Sequence, residues 1–152
     1  MGVHVMEVKE EHQEKFISAL QNVVYALKNE SEECGKLCGG VSEKELHVIN
    51  FVGGSKNVKM SDIAENIDAP MSTLTNIVDK LVEKKYLSRE HCDEDRRVIN
   101  VMLGENGKTA YKVLSSKKKF VAEKVLSGFT YEEQKEFISH MNTLASALST
   151  KK

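Results

Sequence analysis

The sequence predicts a mainly α-helical fold with a small β wing: a winged helix-turn-helix flanked by long N- and C-terminal dimerisation helices. Three observations carry this. A short helical segment, Ser61–Ile67, is followed by a short turn and a second, strongly amphipathic helix opening at Pro70. Two β-like runs, 87–92 and 98–103, come next and flank the tip Asp93-Glu-Asp-Arg-Arg97. Long stretches on either side carry apolar residues at helical spacing. Two short helices and then a hairpin is the element order of a winged helix-turn-helix.

Size and composition agree with one soluble domain spanning 1–152. With 152 residues, 40% of them hydrophobic and 30% charged, the chain has the make-up of an ordinary globular domain. One proline and no tryptophan argue against a turn-rich sandwich or barrel. No apolar run approaches the ~20 residues of a membrane span. The N-terminus lacks the basic and apolar regions of a signal peptide. Three cysteines, an odd number, suit a reducing compartment better than a disulfide framework. The expected location is the cytoplasm, with no membrane partner. The formal charge of −1 is a poor match to a polyanionic partner, and the local balance is no better. Residues 55–97 hold eight Lys and Arg against nine Asp and Glu. Any basic face must come from how the charges are distributed.

Along the chain, Glu10–Asn29 places Phe16, Leu20, Val23, Val24 and Leu27 on one helical stripe. Glu30–Gly40, with its acids, two cysteines and Gly-Gly pair, reads as a connection. Ser42 and Glu45 have capping-box spacing and open a helix that buries Leu46 and Ile49 and ends at Gly53-Gly54. Val58–Met60 is short and extended, a third strand beside the hairpin. Ser61 serves as N-cap of the next helix, and Pro70 suits the first position of the one after.

In that helix Leu74, Ile77, Val78, Leu81 and Val82 must face a core. Its other face holds Met71, Ser72, Thr73, Thr75, Asn76 and Lys80, and short hydroxyl and amide side chains can reach base edges and phosphates. A polar solvated face is the competing reading. In the hairpin, Ile99, Val101 and Leu103 alternate with Val98, Asn100 and Met102. Arg96 and Arg97 sit at the tip, where arginine can enter a minor groove, or where Arg97 can simply pair with Asp95 to fix the turn. Glu105–Leu126 is a long helix. Thr130 and Glu133 form another capping box before a last helix with Phe137, Ile138, Met141 and Leu144. The wide apolar stripes of the terminal helices must be buried against each other or against a second copy.

These residues are similar to the MarR family of transcriptional regulators. Val41-Ser42-x-x-Glu45-x-x-Val48-Ile49 resembles the opening of the family's second helix. Met60-Ser-Asp-Ile-Ala64 and Ser72-Thr-Leu-Thr-Asn-Ile-Val-Asp-Lys-Leu81 resemble its third and recognition helices. Asp95-Arg-Arg97, Leu103 and Gly107 resemble its wing and the start of its fifth helix. The resemblance implies a homodimer joined by helices in 1–40 and 105–152, with a DNA-binding lobe at 41–104. It implies a regulator of double-stranded DNA, usually a repressor released by a small-molecule effector, reading a pseudo-palindromic site. By position, Ser72, Thr73, Thr75, Asn76 and Lys80 would contact DNA, Arg97 would be the wing arginine, and Asp95 would brace it. Three departures stand out. Lys85 replaces a usual glycine, Gly104 replaces a capping threonine, and Asp93-Glu94 puts acid where the wing should meet phosphate.

Cys34, Cys38 and His47 are the soft-ligand candidates nearest one another in sequence. Zinc wants four such ligands, and the fifth-helix histidine pair of zinc-responsive relatives is missing, with no histidine between 92 and 139. Neither a bound metal nor any other cofactor is expected. Thiol sensing through Cys34, Cys38 or Cys92 is an alternative, as is a winged-helix adaptor that binds protein and not DNA. No phosphate loop, nucleophile pair or close carboxylate pair supports an enzyme.

Overall fold

The structure, a computed structural model, describes residues 8–56, 58–91 and 99–149. The elements are α1 (Glu10–Leu37), α2 (Glu43–Gly54), β1 (Val58–Lys59), α3 (Met60–Asn66), α4 (Met71–Glu83), β2 (Leu87–His91), β3 (Ile99–Leu103), α5 (Glu105–Leu126) and α6 (Tyr131–Leu148). They gather into two compact units, one up to Val113 and one from Leu114 onward.

In the first unit α2, α3 and α4 pack together and against a three-stranded antiparallel sheet of order β1-β3-β2. The hairpin pairs Leu87 with Leu103, and His91 with Ile99. On the other edge of β3, Val58 pairs with Val101. The core is Val48 and Ile49 from α2, Ile63 from α3, Leu74, Val78 and Leu81 from α4, with Leu87 and Val101 from the sheet, all essentially inaccessible to water. Each such side chain contributes roughly 1.5–3 kcal/mol. Apart from Val48 and Leu87, these are apolar positions the helical and strand periodicities select; Ile77 and Val82, also expected inside, are half-buried at the edge of that face.

Several boundaries differ from the sequence expectation. Glu30–Gly40 is not a connection: α1 runs on to Leu37. Acids, serine and cysteine cost a helix little, and no breaker appears before Gly39-Gly40. Packing then holds the extra turns, because Cys34 is buried and Gly35 passes so close to Val41 that a Cβ would sit 2.4 Å from its carbonyl oxygen. The pair Gly53-Gly54 lies inside α2 and does not cap it. Gly53 is there because the Tyr111 ring of α5 occupies the space, 2.3 Å from where a Cβ would stand. Ser61 is not the N-cap of α3. The helix starts one residue earlier, and Asp62 accepts the Lys59 backbone N–H at 2.9 Å. Pro70 is itself the N-cap of α4, its carbonyl accepting from Leu74 N at 3.0 Å.

Helices α1, α3 and α4 all end in a Schellman motif, with the residue after the C-cap left-handed. Gly39 fills that position in α1, but Asp68 (φ 47°) does so in α3 and Lys85 (φ 59°) in α4. In α4, Tyr86 N donates to Leu81 O at 2.8 Å and Lys85 N to Val82 O at 3.0 Å. Two other helices bond to the same three residues. Asn106 of α5 donates from its amide nitrogen to Lys84 O at 2.9 Å and from its backbone to Lys85 O at 3.1 Å. The Tyr86 hydroxyl donates to Cys38 O at the end of α1. This crowding accounts for Gly104: a Cβ there would stand 2.4 Å from Lys85 O. The position is set by that close approach, and the lost threonine cap is secondary.

Urea melts should separate the two departures. Lys85→Gly is expected to stabilise the fold by about 0.5–1 kcal/mol, by relieving the left-handed lysine. Gly104→Ala is expected to cost about 1–3 kcal/mol, because backbone must move.

Candidate nucleic-acid interface

Helix α4 has a core face that fixes its orientation and a polar face that is consequently outward. Leu74, Val78 and Leu81 are fully buried. Ser72, Thr73, Asn76 and Lys80 are exposed, as is Met71, 48% accessible at the helix start. Thr75 departs from this set. It is half-buried, and its hydroxyl donates to Met71 O at 2.8 Å, leaving only its oxygen lone pairs for another partner. At 100° per residue Ser72, Asn76, Asp79 and Glu83 fall within about 60° of arc, with Lys80 and Thr73 to one side.

Charge on this face is organised by two neighbours. Arg89 of β2 bonds Asp79 of α4, Nη1 to Oδ1, at 2.6 Å. Arg89 is the cross-strand partner of the buried Val101, so its side chain leaves the sheet on the helical side and meets α4. At the N-terminus of α2, Ser42 and Glu45 form the expected capping box: Ser42 N and Oγ each donate to Glu45 Oε2 at 2.8 Å, and Glu45 N donates back to Ser42 Oγ at 3.4 Å. Burial pushes the Glu45 carboxyl up. The Ser42 bonds, with the charges of Lys84 and Lys80 on α4, outweigh this and hold it below the usual carboxylate value. The cations of α4 therefore have an internal anion close by.

The Asp79–Arg89 pair escapes sequence reading. Its members lie on different elements ten positions apart, and Asp79 in isolation is only another polar residue on an exposed face. Arg96, Arg97 and Asp95, the wing-tip residues, lie outside the described residues, as does Cys92.

The sensor candidates do not come together as a site. Cys34 and Cys38 are buried and not disulfide-bonded, whereas His47 is exposed on α2. Burial, and secondarily the neighbouring Cys34, push the Cys38 thiol up, away from the thiolate that metals and oxidants require. Among the described residues no group of three or more His, Cys, Asp and Glu could hold a metal. Nor is any helix among them long and apolar enough to cross a membrane.

A buried-core helix with an outward polar face, set beside an antiparallel hairpin, defines a winged helix-turn-helix protein. The MarR family model matches residues 41–99, the lobe just described. Two relatives from Bacillus subtilis are each 30% identical to the chain. The HTH-type transcriptional regulator YfiV aligns over 112 residues, 74% of this chain and 70% of that one. The HTH-type transcriptional repressor MdtR aligns over 111, covering 73% and 72%. The chain belongs to the MarR family of transcriptional regulators. Among solved structures, YusO from Bacillus subtilis matches with a TM-score of 0.70 at 26% identity, over 93% of this chain and 99% of that one. FabT from Streptococcus pneumoniae, solved in complex with DNA, matches with a TM-score of 0.74 at 23% identity, over 92% and 97%.

The Glu45 shift makes a pH prediction. A folded-state pKa below the unfolded value of about 4.3 stabilises the fold above that pH, and the contribution is lost as pH falls through the folded value. Glu45→Gln should therefore flatten the acid limb of the stability profile below about pH 5. Thermal melts across pH 3–7 check it, and an unchanged acid limb would show that the box carries no pH dependence.

Proposed function

We propose that the chain is a homodimeric DNA-binding regulator, a repressor released by a small-molecule effector, that lays α4 into the major groove of a pseudo-palindromic site. The observation that carries this reading is the α4 face itself. Ser72, Thr73 and Asn76 are exposed on the first turns, of the size and chemistry that reach base edges, and Lys80 lies one turn further as a phosphate partner. Thr75 contributes through its hydroxyl oxygen at the margin. Arg96 and Arg97 would enter the neighbouring minor groove, with Asp95 bracing Arg97.

The near-neutral charge favours pairing over action by a single copy. A monomer with no net basic face gains little from phosphate neutralisation, and a dimer doubles every contact. Apolar surface supports the pairing. On α1, Phe16, Ile17, Val24 and Leu27 are each more than half accessible. On the helices of the second unit, Phe120 is more than half accessible and Val125, Ile138 and Met141 are exposed to 43–48%. Stripes of this extent call for a covering partner, and a second copy is the commonest one. The relative named as a repressor, MdtR, supports the repressor role, and the DNA complex of FabT supports DNA binding.

Gel shifts with DNA from upstream of the protein's own gene, across a salt series, test the reading. Retention with a steep negative log-log salt slope is expected, whereas no retention would favour a protein-binding adaptor. Asn76→Ala should weaken binding to the preferred sequence by about 1–3 kcal/mol with the fold intact. In light scattering the wild type is expected as a dimer, and Leu27→Glu should shift it toward monomer and weaken DNA binding together.

A further inference from the structure

We propose that Arg89 is a DNA-backbone contact in its own right, held by Asp79 at the seam between the recognition helix and the wing. The inference rests on the DNA-binding reading above and assigns a role to residues outside the usual helix and wing-tip positions.

The first argument is placement. Asp79 lies on the same arc of α4 as Ser72 and Asn76, two turns and one turn away. The arginine that meets it leaves β2 from the helical side of the sheet, so its guanidinium stands where α4 and the hairpin adjoin. Whatever ligand lies along the polar face of α4 passes this seam.

The second argument is charge. A carboxylate on a helix face that approaches phosphates is repulsive, and Glu83 repeats it one turn on. A contact of 2.6 Å between Arg89 and Asp79 cancels the nearer of the two. As a stabilising device the pair is poor, because ion pairs with open side chains contribute about 0–1 kcal/mol, and these are 31% and 51% accessible. Its effect on the surface potential is larger than its effect on the fold.

The third argument is valence. Guanidinium carries five N–H donors in a planar fork, more than the Nη1–Oδ1 contact with Asp79 uses, and the Arg89 side chain is 31% accessible. The accessible remainder can donate to a phosphate oxygen while Asp79 holds the group in place. Pre-organising a long side chain in this way lowers the entropy lost on binding.

The test uses the full chain and a duplex that the wild-type protein selects from a random-sequence library, with a scrambled duplex alongside. Arg89→Met should make the log-log salt slope shallower by about 0.9 per protomer and weaken binding about eightfold per protomer at 0.1 M salt. The loss should be equal on the selected and scrambled duplexes, because a phosphate contact carries no sequence information. Arg89→Lys should keep the slope, showing that charge and not packing matters, and thermal melts should place both variants within a few degrees of wild type. Asp79→Asn should also keep the slope, with a smaller loss of affinity. A wild-type slope in Arg89→Met overturns the inference while leaving the DNA reading intact, and so does a loss confined to the selected duplex. A wild-type chain that selects no duplex overturns both.

Discussion

The full burial of Leu74, Val78 and Leu81 is the constraint on which the rest of the structure depends. Three apolar side chains at helical spacing bind α4 to α3 and the sheet, and in doing so they turn its polar face outward. Rotating the helix by one residue would bring Thr73 or Thr75, depending on the direction, toward the core and expose leucines, at several kcal/mol. The chemistry on the open face is thus displayed by the packing of the closed one.

Orientation alone leaves the helix free to slide, and its C-terminal end removes that freedom. The Lys84–Tyr86 segment is claimed by three partners: its own last turn, Asn106 at the start of α5, and Cys38 at the end of α1. Backbone carbonyls that a helix end ordinarily presents to water are here bonded to neighbouring elements. The tolerance of lysine in a left-handed conformation, and the need for glycine at 104, are both consequences of this tie. Displacement of α1 near Cys38, or of the first turn of α5, reaches α4 through hydrogen bonds with no flexible linker between.

The electrostatics follow the same division between surface and seam. The overall charge of −1 and the acid-rich stretch around the hairpin argue against a broadly basic protein. What the structure supplies is local pairing. Glu45 sits within the field of Lys80 and Lys84, and Asp79 is bonded to Arg89. Net charge could not have revealed either arrangement, since pairing changes the potential of a face without changing any count.

Much of the fold was legible in residue order. The capping boxes at Ser42 and Thr130, the amphipathic spacing of α4, the alternation in β3 and the limits of α5 are local signals, each set by backbone hydrogen bonding or by burial of one face. Reading failed where a contact came from far along the chain. The Glu30–Leu37 turns stay helical because they pack near Val41, Gly53 yields to Tyr111, and Gly104 yields to Lys85. The candidate site divides in the same way. The residue types on the outward face of α4 were determined by the sequence alone, because helical periodicity assigns them once the apolar stripe is known. That Thr75 turns back to its own backbone, that Cys34 and Cys38 are buried away from the exposed His47, and that Arg89 reaches Asp79 were decided only by tertiary structure, which brings together groups that no local spacing connects.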